Sequence, residues 1–331
     1  MRSGLLAIAT VTALSATALG GCATVAPAQK IEVSSTAAGL WPRTVQHDSG
    51  VTTIDEKPAR IVSVSPSITG SLLALGAPIA ATAAATVSPL TDDKGFFTQW
   101  ASIADSRDVE VLYSDLELDL DAIDLFEPDL IIGSVNGGDA SLEAYDQLSE
   151  IAPTVLLDYG TATWQELTTE LGDITGLEKE SATTITEYDA WVDEQANGFS
   201  LPKQPVTAAV YMGAEGMWAF GADSPQAQLL TDLGFTYEEA AEKFRSEKGG
   251  ANGIDVLTAE NAASGLAGSQ TLFLVAMGGG DPVAQFTGDP LLANQPAVAA
   301  ERVHSLGTEA FRLDYYSARS TVKLIVDTFS Q

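Results

Sequence analysis

Two histidines, one cysteine and a large excess of carboxylates are the groups in this 331-residue chain that could carry chemistry. A serine hydrolase needs a histidine close to its nucleophile. His47 lies in a stretch that reads as a tether. His304 lies in Arg302-Val303-His304-Ser305-Leu306, which alternates like a short strand. No GxSxG elbow, P-loop, HExxH, EF-hand or CxxC pattern occurs. Asp115, Glu117, Asp119 and Asp121 alternate with Leu116, Leu118 and Leu120. Clustered carboxylates suit calcium, but this alternation sets acids on one face and leucines on the other. It predicts a solvated edge leading into a helix, whose positive end Asp119 or Asp121 would suit. Gly278-Gly279-Gly280 follows an apolar run, yet no Lys or Arg is near and Asp281 follows. A tight turn fits better than a phosphate cradle. No two carboxylates form a distinctive catalytic pair, so the case for an enzyme is weak.

Composition narrows the classes further. Sixteen Lys and Arg against 45 Asp and Glu give a formal net charge of −29. That argues against nucleic acid and against electrostatic attachment to anionic lipid. A 45% hydrophobic content excludes a largely disordered chain, and the length fits two domains. One Cys excludes an intrachain disulfide, and two His exclude a His-rich metal cage.

The cysteine has a particular setting. Arg2 precedes an apolar stretch, Leu5 to Leu19, which ends in Leu19-Gly20-Gly21-Cys22. This is the layout of a signal peptide, and it is too short for the roughly 20 residues of a spanning helix. The last four residues resemble the bacterial lipobox, whose cysteine is acylated. Two or more acyl chains make a stable anchor. The reading is therefore a signal peptide at 1–21 and a lipidated tether at 22–50. The protein is expected on the extracytoplasmic face of the bacterial cell membrane.

The remainder must supply the scaffold. Apolar β-rich runs, at Ile61–Val64, Leu130–Ile132, Thr154–Leu157, Ala208–Tyr211 and Thr271–Val275, alternate with helical patterns. Such runs predict parallel sheets covered on both faces. Between Leu177 and Phe199 the alternation is replaced by one Pro-free helical stretch, which Pro202 and Pro205 end. At about 1.5 Å per residue a helix of this length spans about 30 Å. The fold class is α/β, with two lobes at 51–176 and 200–331 joined by a helix at 177–199. Ligands of open α/β sheets bind beyond the carboxyl ends of strands. The loops expected at an inter-lobe cleft are Ser65–Ser67, Gly133–Asn136, Asp158–Gly160, Met212–Phe220 and Ala276–Asp281.

Several segments, in order, resemble the substrate-binding lipoproteins of ATP-binding-cassette importers for ferric siderophores, haem and cobalamin. They are Pro58-Ala59-Arg60-Ile61-Val62-Ser63-Val64-Ser65-Pro66-Ser67, Leu120–Ile123 with Glu127-Pro128-Asp129-Leu130-Ile131-Ile132, Leu229–Phe235, Arg302–His304 and Phe311–Ala318. The resemblance covers residues 51 to 331 and implies two Rossmann-like lobes joined by one long helix; a joint of one stiff helix predicts small closure on binding. It also implies a docking acid on each lobe for the permease. Glu260 in Leu257-Thr258-Ala259-Glu260 fits one, and Asp121 stands where the family usually has Glu. Gly70 is a further departure, since many members carry Glu there.

The resemblance implies a ferric siderophore as ligand, no cofactor, and an ABC permease as partner of a monomeric carrier. Such a chelate already satisfies its iron. The cleft then needs aromatic surface and a few cations or donors. Arg312, Tyr315, Tyr316, Trp218, Tyr159, Tyr113 and Arg107 are the candidates, although Tyr and Trp equally serve as core. A haem ligand, held by Tyr113 or Tyr159, or cobalamin, is the alternative within the family. An anchored extracellular hydrolase or a purely structural lipoprotein stands outside it.

Overall fold

Neighbouring residues along each central strand go to opposite cores, because strand side chains alternate in direction. Ile61, Leu130, Ile132, Val155 and Leu157 enter one core, while Val62, Val64, Ala81 and Ile131 enter another on the reverse face. The second half repeats this. Val206, Ala208, Val210, Phe273 and Val275 face one way, and Ala209, Leu272 and Leu274 the other. A sheet covered on both faces has no polar face to show, which is why its strands read as unbroken apolar runs.

A computed structural model describes residues 33–34, 40–160, 162–246, 253–277 and 280–330. A small antiparallel sheet comes first, formed by β1 (Val33–Ser34), β2 (Arg43–His47) and β3 (Gly50–Ile54). The first lobe holds β4 (Ile61–Ser63), β5 (Ile79–Thr82), β6 (Glu110–Val111), β7 (Leu130–Ser134) and β8 (Thr154–Leu157), all parallel, in the order β6-β5-β4-β7-β8. The second lobe holds β9 (Val206–Tyr211), β10 (Met217–Phe220), β11 (Ile254–Leu257), β12 (Thr271–Val275) and β13 (Val303–Gly307), in the order β11-β10-β9-β12-β13. In this sheet β10 alone runs opposite to the other four strands.

Between the sheets in sequence runs a 19-residue helix, Glu178–Ala196. It follows helix Trp164–Thr175, which ends on Gly176 in the left-handed region at φ 71°. The joining helix buries Ser181, Tyr188 and Val192. Tyr188 meets Trp164 edge-on at 4.7 Å and Tyr315 at 6.3 Å.

The body starts earlier than residue 51. Arg43–His47 is a strand, not tether, and its inward residues are Arg43, Val45 and His47. An Arg and a His at inward positions hide the apolar alternation from a sequence reading. His47 is buried, with Nε2 3.0 Å from the Thr52 hydroxyl and 3.3 Å from the Tyr145 hydroxyl. The acidic alternation at 115–121 also differs from expectation. Asp115 and Leu116 adopt left-handed φ angles of 58° and 59°, so the segment turns instead of extending. Asp119 caps helix Leu120–Leu125 by accepting from the Ala122 amide. Cys22 and Gly278-Gly279 lie outside the described residues.

Arg43 is fully buried and ties the hairpin to the joint. It pairs with Glu178 at 2.5 Å, donates to the Asp173 carbonyl, and lies 4.5 Å from the Trp41 ring. Removing it strips the first residue of the joining helix of its partner. Arg43→Ala is expected to cost about 2 kcal/mol or more, read as a lower urea midpoint. An unchanged midpoint would show the clamp to be energetically idle.

Candidate ligand-binding site

Two adjoining cavities lie where the lobes face each other. One, of about 230 Å³, is lined from the first lobe by Ser67, Phe97, Gln99, Tyr159 and Trp164, and from the second by Phe220, Gln226, Ile254 and Phe311–Asp314. The other, of about 350 Å³, is lined by Ala85, Leu90, Leu116, Met277, Thr308 and Glu309 among others. Phe97, Gln99, Phe311 and Arg312 belong to both walls. Every first-lobe contributor follows the carboxyl end of a strand, as expected for a parallel sheet. The second lobe is mixed. Met277, Thr308 and Glu309 follow β12 and β13, whereas Phe220 and Ile254 come from the antiparallel strand β10 and its neighbour β11.

The first-lobe wall is organised by Asp139. Its carboxylate is buried and accepts from the Ser65 hydroxyl at 2.5 Å, the Ser67 amide at 3.1 Å and the Tyr159 hydroxyl at 2.9 Å. These donors follow β4 and β8, while Asp139 itself follows β7. Gly137, at φ 83°, must lack a side chain, because a Cβ there would overlap the Tyr159 hydroxyl.

Arg312 crosses from the second lobe to this wall. Its Nη1 donates to the Ser67 hydroxyl at 2.8 Å, and its guanidinium lies 5.6 Å from the Phe97 ring and 6.0 Å from the Tyr159 ring. Gln226 fixes the segment just before it, donating to the Ala310 and Phe311 carbonyls at 2.9 and 3.1 Å. Among the described lining residues Arg312 carries the only positive charge.

The other sequence candidates separate. Tyr159 lines the smaller cavity. Trp218 stands behind it, stacked on Phe311 at 6.5 Å. Tyr315 packs on Trp164 and Arg319, and Tyr316 packs into the first-lobe core. Arg107 is exposed and donates to the Leu73 carbonyl at 2.7 Å. Tyr113 donates to the Val64 carbonyl at 3.2 Å. Phe97, Gln99, Phe311, Trp164 and Leu116 were not singled out from sequence. A Phe pair, Phe96-Phe97, in a chain with only 7% aromatic residues is the available signal for the first.

Iron ligation by a tyrosine requires a phenolate. Burial pushes the Tyr113 hydroxyl well up, with the Asp139 charge adding to it. Burial and Asp139 push Tyr159 up to about 12. Both hydroxyls are thereby held as donors, to the Val64 carbonyl and to Asp139. Glu260, on helix Ala259–Gly265, and Asp121, on helix Leu120–Leu125, are both exposed. Each sits in the first turn of a helix that follows the carboxyl end of a strand, one in each lobe.

Gly70 has a steric account. A Cβ at this helix position would strike the Asp314 carboxylate, with Trp100 Cδ1 at 2.9 Å. Asp314, from the second lobe, thus occupies the space a side chain at 70 would need. It caps helix Tyr315–Phe329 through the Tyr316 and Ser317 amides, both at 2.8 Å, and accepts from Gln99 at 3.4 Å. Burial pushes its carboxyl up to about 6.

Comparisons with known proteins agree with this fold. The family model described as periplasmic binding protein matches residues 61–310. The ferric enterobactin-binding periplasmic protein FepB of Escherichia coli O6:H1 is 42% identical over 292 residues, covering 86% of this chain and 90% of that one. A Bacillus subtilis protein named "Probable siderophore-binding lipoprotein YfiY" is 27% identical over 70% of this chain and 67% of its own. The crystal structure of holo-ViuP superposes with a TM-score of 0.80 at 33% identity, over 88% of this chain and 97% of that one. PiaA of Streptococcus pneumoniae TIGR4, solved in complex with ferrichrome, shares the fold at TM-score 0.68 and 21% identity, over 86% and 96%.

The raised Asp314 carboxyl has a measurable consequence. Its native form binds a proton more tightly than the unfolded chain does, whose value is near 3.8. Stability through this residue therefore rises as pH falls from about 6 to about 4, and is flat above both values. The Asp314→Asn variant keeps an acceptor for the cap and loses the titration. Wild-type stability relative to D314N should climb over that window in urea unfolding. A pH-independent difference would refute it.

Proposed function

The chain belongs to the periplasmic binding protein family, and on that premise we propose that it captures a ferric siderophore between its lobes outside the cytoplasm and delivers it to an ATP-binding-cassette permease. The carrying observation is Arg312, which reaches across the cleft to Ser67 between the rings of Phe97 and Tyr159. One guanidinium among aromatic faces suits a chelate that presents anionic oxygens on an organic framework. The likeness to a protein named for ferric enterobactin makes a catecholate the first chelate to try. The protein acts by stoichiometric binding, without turnover.

Binding proceeds in the order the geometry supports. The wall held by Asp139 is formed before the ligand arrives. The chelate meets Arg312, whose bond to Ser67 is exchanged for bonds to ligand oxygens. Aromatic faces cover the organic surface. Because a single helix, Glu178–Ala196, joins the lobes, closure is small. Glu260 and Asp121 then present one carboxylate from each lobe to basic residues of the permease, an arrangement that orients a complex more than it tightens it. The leader ends before Cys22, whose acylation tethers a monomeric carrier to the membrane. Among the described residues no helix is long and apolar enough to cross a membrane.

Arg312→Ala should weaken chelate binding by about 10- to 100-fold, the loss of charge-assisted hydrogen bonds, with the thermal transition kept. Tryptophan quenching by ferric chelates reads this directly, and unaltered affinity removes Arg312 from the site. Glu260→Ala should bind normally yet restore iron uptake poorly in cells lacking the wild-type protein. Full uptake by that variant rejects the docking role.

A further inference from the structure

The smaller cavity is too small to be the whole site. Pockets for small molecules span roughly 300–1,000 Å³, and this one has about 230 Å³. The adjoining cavity of about 350 Å³ brings the pair well inside that range. Each is lined by the shared Arg312 and by one carboxylate, Asp314 in the smaller and Glu309 in the larger. Apart from the shared Arg312, the only charged group among the described residues of the larger cavity is the Glu309 carboxylate. Glu309 accepts from the Thr98 hydroxyl across the cleft at 3.3 Å. Ala85, Leu90, Leu116, Phe97 and Phe311 supply apolar surface beside uncharged hydroxyl and amide side chains such as Thr86, Ser88 and Gln99. Arg312, on the wall that the two cavities share, draws the anionic oxygens of an iron centre to their boundary, and the uncharged lining beyond it suits an organic part of the ligand.

Leu116 carries a second, independent observation. It and Asp115 are consecutive non-glycine residues in the left-handed region, at 59° and 58°. Such a pair is costly, and strain of this kind concentrates at functional sites. The Leu116 amide donates to the Ala84 carbonyl at 3.0 Å, which pins the turn and presents its side chain to the larger cavity.

We infer that the larger cavity is the specificity pocket of the cleft, holding an uncharged organic part of the chelate, with Leu116 and Leu90 setting its size. This rests on the ferric-siderophore reading. The test uses pairs of chelates with the same iron-binding groups but different frameworks. One pair is ferric enterobactin and the ferric complex of dihydroxybenzoylserine, which lacks the joining lactone ring. The other is ferrioxamine B and ferric acetohydroxamate. Affinities are measured for wild type, Leu116→Trp and Leu90→Trp, each first checked for an unchanged circular dichroism spectrum. For the pair that wild type binds, either folded tryptophan variant should lose at least tenfold on the larger framework and less than about threefold on the simpler complex. Equal losses on both members, or no loss from either variant, overturn the pocket assignment while leaving the carrier reading intact. Failure of wild type to bind any of the four overturns the carrier reading and this inference with it.

Discussion

One buried carboxylate, Asp139, sets the geometry of the cleft. Three donors from the loops after β4 and β8 converge on it, and a charge so buried is tolerable only when it is well supplied with donors. The same bonds fix Ser67 and Tyr159, the groups that receive Arg312 from the opposite lobe. The receiving wall is therefore built without help from the ligand, which lowers the ordering cost of binding. Gly137 completes the arrangement by leaving room for the Tyr159 hydroxyl.

The second lobe is held to this wall by aromatic packing around the joining helix. Trp164 lines the smaller cavity and packs on Tyr188 of that helix and on Tyr315 of the closing helix. Arg319 lies 4.1 Å from the Trp191 ring and 5.6 Å from that of Tyr315. Tyr315 was a contact candidate by residue type and serves instead as a bearing surface between helices. A ligand that presses on Trp164 presses on the ring that seats the joint, so occupancy and lobe position share one contact.

Much of the scaffold was legible because burial on both faces leaves one signature in sequence, the unbroken apolar run. β4, β7, β8, β9 and β12 all carry it. The hairpin at 43–54 was not legible because Arg43 and His47 take inward positions normally held by apolar residues, each satisfied by partners over 90 residues away. At the site, Arg312 and Tyr159 could be named from type and from their place after strands. Trp218 and Tyr113 could not be told from packing residues, since an aromatic side chain looks the same in sequence whether it faces solvent or core. Leu116 was read as one face of an extended edge. Its left-handed backbone depends on a bond to Ala84, thirty-two residues earlier, which no local pattern encodes.

The clamp at Arg43 also fixes where the N-terminal hairpin meets the body. Helix Trp164–Thr175 begins at the cavity and ends beside Trp41, about 16 Å away along its axis. The N-terminal arm thus joins the body at the rear, behind the mouth. A hairpin seated there couples the first residue of the joining helix to a strand residue 135 positions earlier in the chain, so the angle between the lobes is braced from outside both sheets.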